Sequence, residues 1–347
     1  MKEQPMFDGE KELQRWKGFM GIWASPDPET GPTPRVAVWK KNKATLWYYP
    51  ARKKKYKAPL FLVYSLVNKA FVLDLAPGSS MIESFVTNGY DVYLMDFGVP
   101  GYEDKHLTID HYLVDYLQRA VRRALHHSKA RELTIIGYCL GGTLAAMYAS
   151  IAKEPIRNLI LCVAPLNFSN PPLFDKWTNA MKKGDLSLDE VLDAYGTVPA
   201  SFMKIGMRAV SAPVYFSHYL SLLNKSYDKD YVDRWRRFNN WANGHIPFPG
   251  AALKQLLNDL GKNNKFMKRT LTIRGRKADP ANIKANLLIV AGSQDRLVPE
   301  NLSRDFIHLV SSKDKTYKLV TGGHTTLAVK GIGLPGFLAD WLPERSN

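Results

Sequence analysis

The sequence feature that most constrains the fold lies at residues 133–142, where a cysteine framed by glycines follows an apolar run. The run at 133–136 is typical of a buried strand, and the small residues at 142–152 favour a helix. Between them stands the pattern Gly-Tyr-Cys-Leu-Gly, centred on Cys139. On a sharp turn from strand to helix, side chains two positions either side of the centre would collide with both elements, which explains the glycines. The pattern predicts that Cys139 is a nucleophile on this turn; an inert buried cysteine is the alternative.

Strand-like and helix-like segments alternate on both sides of this turn. Apolar runs predict strands, and amphipathic or small-residue stretches predict helices. The predicted strands are residues 35–39, 44–49, 60–64, 91–95, 133–136, 159–163, 286–291 and 317–320. The predicted helices are residues 80–88, 108–125, 142–152, 301–310 and 332–342. Because most of the strands are continuous apolar runs, we expect an α/β fold with a mostly parallel central sheet covered on both faces.

The alternation is interrupted once. Residues 166–284 have no regular β–α rhythm and are rich in helical and aromatic stretches. We therefore expect a core domain built from residues 35–165 and 285–347, with residues 166–284 inserted as a mainly helical cap or lid. Residues 1–34 are predicted to be a short helix and a proline-rich linker. This helix carries four large apolar side chains, Trp16, Phe19, Met20 and Trp23, which either pack on the chain itself or contact a partner.

Two later turns supply a candidate acid and a candidate base. Strand 286–291 leads into a loop with Asp295, and strand 317–320 leads into a Gly-Gly turn that ends at His324. Enzymes of the α/β-hydrolase fold carry nucleophile, acid and histidine in that chain order, at the ends of strands. The order Cys139, Asp295, His324 fits, and we predict an α/β-hydrolase fold with this triad. Each later residue has a structural alternative, since the aspartate could cap a helix and the histidine could lie at the surface.

Two backbone N–H groups are expected to form an oxyanion hole. One belongs to Leu140, at the start of the helix behind Cys139, and the other to the loop after strand 60–64, where spacing favours Val67. No residues have metal-ligand spacing, so neither a metal nor a cofactor is expected. The second cysteine, Cys162, lies in the middle of an apolar strand and is predicted to be a core residue.

The charge of the chain points to anionic ligands. Lys and Arg number 48 against 32 Asp and Glu, which gives a formal net charge of +16. Such a surface attracts nucleic acid, acidic membranes or phosphorylated substrates such as CoA esters. Nucleic-acid-binding motifs and apolar stretches of about 20 residues are missing from the sequence, so we expect neither nucleic-acid binding nor a membrane span. Two cysteines exclude a disulfide framework and, without a recognisable targeting segment, predict a cytoplasmic protein.

A cysteine as nucleophile favours acyl transfer from a thioester over ester hydrolysis. Serine suffices for ester hydrolysis, whereas a thiolate beside a histidine exchanges readily with a thioester. The new acyl-thioester remains reactive toward a hydroxyl or a thiol. We therefore predict acyl transfer from a thioester such as an acyl-CoA, whose phosphates the positive surface would attract.

Several segments together resemble the catalytic subunit of polyhydroxyalkanoate synthases, most closely the short class IV type. They are residues 67–75, 77–80, 137–142, 292–299 and 322–324. The resemblance implies that the chain polymerises (R)-3-hydroxyacyl-CoA, usually short-chain such as 3-hydroxybutyryl-CoA, and releases CoA. It implies that Cys139 carries the growing polyester, that His324 is the general base and that Asp295 is its partner. It also implies Val67 and Leu140 as the oxyanion donors.

The resemblance also implies a partner subunit, an assembly and a cellular location. A small second synthase subunit is expected, because the chain lacks the long N-terminal domain of one-component synthases. A homodimer or higher assembly and a cytoplasmic location at the surface of polyester granules are expected as well. Two positions depart from the family pattern. Arg296 stands where many members have a histidine after the catalytic aspartate, and His245 lies in a loosely matching cap stretch. His245 is a candidate for the substrate channel, and a structural loop histidine is the alternative.

Two other functions remain open from the sequence. A cysteine hydrolase of the thioesterase or dienelactone-hydrolase type would use the same Cys139 triad. A non-catalytic protein could instead bind an anionic or lipid-like surface through its basic face. Polyester formed from 3-hydroxybutyryl-CoA, free hydroxy acid, or a function that survives Cys139→Ala would distinguish the three.

Overall fold

The computed structural model describes residues 9–24, 28–169, 175–325 and 333–347. Within these residues, eight strands form the main sheet. Their bounds are β1 (Val36–Lys41), β2 (Ala44–Tyr49), β3 (Leu60–Val63), β4 (Val92–Asp96), β5 (Leu133–Tyr138), β6 (Ile156–Cys162), β7 (Asn286–Gly292) and β8 (Lys315–Val320). The spatial order is β1-β2-β4-β3-β5-β6-β7-β8. The pairs from β4 through β8 are parallel, and β1 and β2 join antiparallel at one edge. The predicted mostly parallel sheet is confirmed.

Helices cover both faces of this sheet. They are α2 (Met81–Thr87), α3 (Gln118–Ser128, entered through the π-helical stretch His111–Leu117), α4 (Leu140–Ile151) and α10 (Gly336–Ala339), and α1 (Gly9–Ala24) precedes the sheet. The strands bury continuous apolar runs between the two helical layers, and β3 and β5 are buried along their whole length. Ser80 caps α2, as its side chain accepts the amide N–H of Glu83 at 2.9 Å.

A helical layer follows β6 and precedes β7. It contains α5 (Asp175–Lys183), α6 (Asp189–Tyr195), α7 (Ala200–Lys225), α8 (Lys229–Asn243) and α9 (Gly250–Gln255, continued by the π-helical stretch Leu256–Lys262). This is the region in which the sequence predicts a mainly helical cap. None of the helices in the described residues is long and apolar enough to cross a membrane.

Helix α1 packs with one face on α7 and α8 of this helical layer, which is called the cap below. Ile22 is buried with Leu222 and Trp235, and Phe19 packs against the same cluster. A Cβ at Gly18 would collide with the carbonyl oxygen of Ser226, so this contact requires glycine. The opposite face stays open, with Trp16 55% and Met20 68% exposed. The side chain of Trp23 is not among those that the structure describes.

The prediction of a helix at residues 301–310 is wrong. The structure has two short 3₁₀ segments instead, Glu300–Leu302 and Arg304–His308. An α-helix would need the Leu302 carbonyl to accept the amide N–H four residues on. That carbonyl instead accepts the amides of Leu166 and Asn167, at 2.8 and 2.7 Å, so a tertiary contact breaks the helix. The helix predicted at 332–342 is reduced to α10 between two prolines, and Ile332 lies outside the described residues.

Candidate active site

Cys139 lies between β5 and α4 on a sharply bent turn. Its backbone has φ 51° and ψ −130°, a conformation that residues with side chains rarely adopt. The flanking glycines permit the turn. A Cβ at Gly137 would lie 2.5 Å from the Cα of Gly142, and one at Gly141 would lie 2.6 Å from the carbonyl carbon of Tyr64. Backbone atoms of strand and helix therefore occupy the space that side chains would need, as the sequence pattern predicts.

Asp295 and His324 meet at the ends of β7 and β8. The Asp295 side chain is completely buried, and its Oδ2 lies 2.7 Å from Nδ1 of His324. Oδ1 accepts the backbone N–H groups of Leu297 and Val298, each at 2.9 Å. An ionised carboxylate can only accept hydrogen bonds, so Nδ1 of His324 is the donor. This leaves Nε2 of the imidazole for a second partner.

Cys139 also acts on this imidazole, as a charge and as a side-chain hydrogen-bond partner that both raise the pKa of His324. Burial of the imidazole acts to lower its pKa. The negative charge at Cys139 and the hydrogen bonds to Asp295 and Cys139 outweigh burial, and the pKa of His324 rises to about 10. The imidazole of His324 is therefore protonated at neutral pH. The three residues predicted as nucleophile, acid and base are thus brought together.

The second cysteine has a different environment. Cys162 is completely buried at the end of β6, and its carbonyl accepts the Cys139 amide N–H at 3.0 Å. Burial raises the pKa of the Cys162 thiol to about 12, so this thiol stays protonated. Its predicted position in the core is confirmed.

The two predicted oxyanion donors lie in different settings. Leu140 is the first residue of α4, where amide N–H groups have no intrahelical acceptor. Val67 lies in the loop after β3, and its N–H donates to the Ser65 hydroxyl at 3.1 Å. A substrate oxyanion would have to replace that hydroxyl as the acceptor. Tyr64 precedes this loop, and burial, followed by the charge at Cys139, raises its pKa well above the ordinary range, so its hydroxyl is neutral.

The cap contacts the loop that carries Val67. The side-chain amide of Asn68 donates to the Trp241 carbonyl at 2.7 Å, and the Trp241 indole N–H donates to the Lys69 carbonyl at 3.0 Å. The amide of Ile246 donates to the Val67 carbonyl at 3.3 Å. Asn68 and Trp241 are 173 residues apart in the chain, and sequence reasoning missed their pairing. Two hydrogen-bonding residues so far apart in the chain form no pattern in the sequence that would link them.

His245 pairs with Asn68 through an antiparallel backbone bridge, so the segment containing it borders the candidate oxyanion hole. The ring is half-buried, and its Nδ1 has no hydrogen-bond partner among the described residues. Burial lowers the pKa of His245, and the positive charges of Lys204 and Arg208 add to that effect. The ring is therefore neutral at pH 7. Arg296, by contrast, is exposed on the loop after Asp295.

Comparison with known proteins places this geometry in a family. The model of the alpha/beta hydrolase fold family matches residues 69–330. The poly(3-hydroxyalkanoate) polymerase subunit PhaC of Haloferax mediterranei is 32% identical over 324 residues, covering 91% of this chain and 65% of that protein. The protein of the same name from Haloarcula marismortui is 31% identical over 333 residues, covering 92% of this chain and 69% of that protein. The chain belongs to the PhaC family of poly(3-hydroxyalkanoate) polymerase subunits.

The chain spans about two thirds of the length of these two relatives. Its fold is also similar to that of a soluble variant of monoglyceride lipase from Saccharomyces cerevisiae, with a TM-score of 0.60 and 17% identity. That similarity covers 93% of this chain and 100% of the lipase. The α/β-hydrolase fold predicted from the order of motifs is confirmed by both comparisons.

Many basic side chains of this chain are paired with its own carboxylates. Arg269 and Lys277 both contact Asp279, at 2.7 and 3.1 Å. Lys54 contacts Asp91 at 2.8 Å, and Lys265 contacts Asp259 at 2.6 Å. Part of the positive charge of the chain is therefore engaged in local ion pairs rather than free to bind a ligand. In the described part of the chain, no three His, Cys, Asp or Glu residues lie close enough to hold a metal ion.

Proposed function

We propose that this chain polymerises (R)-3-hydroxyacyl-CoA into polyhydroxyalkanoate and releases CoA through a covalent acyl-Cys139 intermediate. Relatives named as poly(3-hydroxyalkanoate) polymerase subunits and the α/β-hydrolase fold support an enzyme of the acyltransferase kind. The observation that carries the finer proposal is the environment of Cys139. A cysteine on a strained turn is hydrogen-bonded to a histidine, and Asp295 holds that histidine at 2.7 Å.

The first half-reaction loads the enzyme. The Cys139 thiolate attacks the thioester carbonyl, and the carbonyl π electrons move onto oxygen, where backbone N–H groups stabilise the charge. The tetrahedral intermediate then breaks its bond to the CoA sulfur. His324 gives its Nε2 proton to the departing CoA thiolate and becomes neutral. The products are free CoA and a 3-hydroxyacyl group on Cys139.

The second half-reaction extends the chain. Neutral His324 takes the proton of a 3-hydroxyl group on a second 3-hydroxyacyl-CoA, and the oxygen attacks the acyl-Cys139 carbonyl. An ester bond forms as the Cys139 thiolate leaves. The extended acyl-CoA then reloads Cys139 and releases its CoA. Asp295 stabilises the imidazolium in both halves, and its two backbone hydrogen bonds fix the carboxylate that orients the ring.

Two features of the surroundings suit this reaction. The acyl-thioester hydrolyses if water reaches it, so the proposal requires the cap residues that bond to the Val67 loop to limit access from that side. The substrate carries the phosphates of CoA, and the net charge of +16 favours their approach. Lys204 and Arg208 add positive charge close to His245, beside the candidate oxyanion hole.

The test is the product formed from 3-hydroxybutyryl-CoA. Wild-type protein should release CoA and form insoluble polyester. Cys139→Ala should do neither, whereas Cys162→Ala, a matched cysteine substitution in the core, should retain both. Free 3-hydroxybutyrate without polyester would favour the second candidate, a hydrolase with the same triad, which the lipase-like fold makes the natural alternative.

The proposal extends to the assembly. We expect a small second synthase subunit, a homodimer or higher assembly, and attachment to polyester granules in the cytoplasm. The exposed Trp16 and Met20 on α1 supply an apolar surface for such a contact. Replacing both with serine should weaken binding of the second subunit without changing the rate at which iodoacetamide alkylates Cys139.

A further inference from the structure

The loop that carries Val67 is attached to the cap by three hydrogen bonds. Two of them form a reciprocal pair between Asn68–Lys69 and Trp241, at 2.7 and 3.0 Å. The third joins the Ile246 amide to the Val67 carbonyl at 3.3 Å. Asn68 is 8% exposed, so an amide left there without a partner would lose hydrogen bonding that water could not replace.

These contacts fix the backbone around Val67 and so affect where its N–H points. The loop between β3 and the 3₁₀ segment Ala70–Leu73 has no regular backbone hydrogen-bonding pattern of its own. Asn68 Oδ1 accepts the Lys69 amide at 2.8 Å, which closes a local turn, and the side-chain amide then joins that turn to α8. The Val67 carbonyl is held by the next cap segment. The peptide groups on the carboxyl side of Val67 are thus fixed by the cap, while its N–H side is fixed by Ser65.

Stabilisation of an oxyanion depends on donors held in place before the reaction, because a donor that must first reorient contributes less. We propose that Asn68 and the indole N–H of Trp241 are positioning residues for the oxyanion hole, so that a closed cap and a competent oxyanion hole are one state of the enzyme. Neither residue needs to touch the substrate. This inference deepens the proposed function and rests on Cys139 acting as an acyl carrier.

The structure offers a matched pair of substitutions on α8. Trp241→Phe removes the indole N–H that reaches Lys69 and keeps an aromatic ring beside Phe238, whose centroid is 5.3 Å away. Trp235→Phe removes an equivalent indole N–H that donates to the His218 carbonyl at 3.1 Å, inside the cap. Each variant removes one indole N–H from the same helix. Trp241 bonds to the Val67 loop and to Tyr64 at its start, whereas the bond of Trp235 stays inside the cap. Asn68→Leu tests the other half of the reciprocal pair.

Two probes separate positioning from folding. Acylation of Cys139 by p-nitrophenyl acetate forms an oxyanion at the carbonyl and requires the hole. Alkylation by iodoacetamide is a displacement at a saturated carbon and forms no oxyanion. Removing an oxyanion donor outright costs about 10²–10³-fold, so loss of its positioning should slow acylation by about 10–100-fold. Alkylation should stay within about twofold of wild type in every variant, and Trp235→Phe should be near wild type in both assays.

The inference is overturned if Trp241→Phe and Asn68→Leu acylate at the wild-type rate, or if acylation and alkylation fall together. It is also overturned if Trp235→Phe slows acylation as much as Trp241→Phe does. These outcomes do not depend on the natural substrate, because p-nitrophenyl acetate replaces it. Failure of wild-type protein to release CoA from any 3-hydroxyacyl-CoA would refute the proposed function instead, and the two failures are therefore distinguishable.

Discussion

Replacing Asp295 with asparagine should separate the two half-reactions. The buried carboxylate accepts two backbone N–H groups at Oδ1 and the His324 Nδ1–H at Oδ2. An asparagine must keep its carbonyl oxygen toward Leu297 and Val298, because the reverse orientation would set its NH₂ against two donors. The amide NH₂ then faces Nδ1 of His324. The imidazole must move its proton to Nε2, which is the wrong tautomer for a base at that atom.

The two half-reactions depend on this tautomer to different degrees. Loading uses a thiolate as nucleophile and expels CoA thiolate, a good leaving group that needs little help from an acid. Extension requires a base to take a proton from an alcohol. The lost hydrogen bond to a charged group is worth about 1.5–3 kcal/mol, or about 10–150-fold, and a wrong tautomer has cost as much as about 10⁴-fold in a related triad. We expect loading to slow by about tenfold or less and extension by about 10²–10⁴-fold.

Rapid-quench measurement of CoA release tests this expectation. The variant should release about one CoA per site in a burst and then continue slowly, while wild-type protein should continue at full rate. Asp340→Asn, which changes an exposed carboxylate paired with Lys318, should behave as wild type. If burst and steady-state rates of Asp295→Asn fall by the same factor, Asp295 does not distinguish the two steps and the reasoning is refuted.

Three further predictions follow from the same site. Gly141→Ala should lower the melting temperature by several degrees, since overpacking against fixed backbone costs about 1–3 kcal/mol. Gly206→Ala, at a helical position with open space, should instead raise the free energy of unfolding by roughly 0.5–1 kcal/mol. Equal effects of the two substitutions in thermal melts would contradict this prediction. The pKa of His324 is raised to about 10 in the folded protein. The stabilisation from its protonated ring is therefore complete below about pH 6.5 and is lost as the pH rises through about 10. In denaturant titrations, the free energy of unfolding should fall less between pH 7 and 10 in His324→Gln than in the wild type. Added NaCl should raise the KM for 3-hydroxybutyryl-CoA but not the rate of acylation by uncharged p-nitrophenyl acetate, and equal salt effects on both would count against charge-assisted substrate binding.

The sequence predicts the parts of this site that depend on local chemistry. The two glycines around Cys139 are needed by the turn itself. Asp295 and His324 each follow a strand end, and the parallel pairing of those two neighbouring strands brings them together. The strands are predictable because continuous apolar runs suit a sheet buried on both faces. The helix at 301–310 is not, because the Leu302 carbonyl bonds to Leu166 and Asn167 from a distant segment. The contact between Asn68 and Trp241 is equally hidden, since it exists only once the cap lies on the loop.

The central claim is that Cys139 carries the growing acyl chain. The most direct measurement is acid quenching of the enzyme during turnover of 3-hydroxybutyryl-CoA, followed by mass spectrometry of the peptide that contains Cys139. The account predicts adducts of one or more hydroxybutyryl units on Cys139, and unmodified Cys162 in the same sample. Polyester formation with Cys139 free of adducts, or with the acyl units on another side chain, would contradict it.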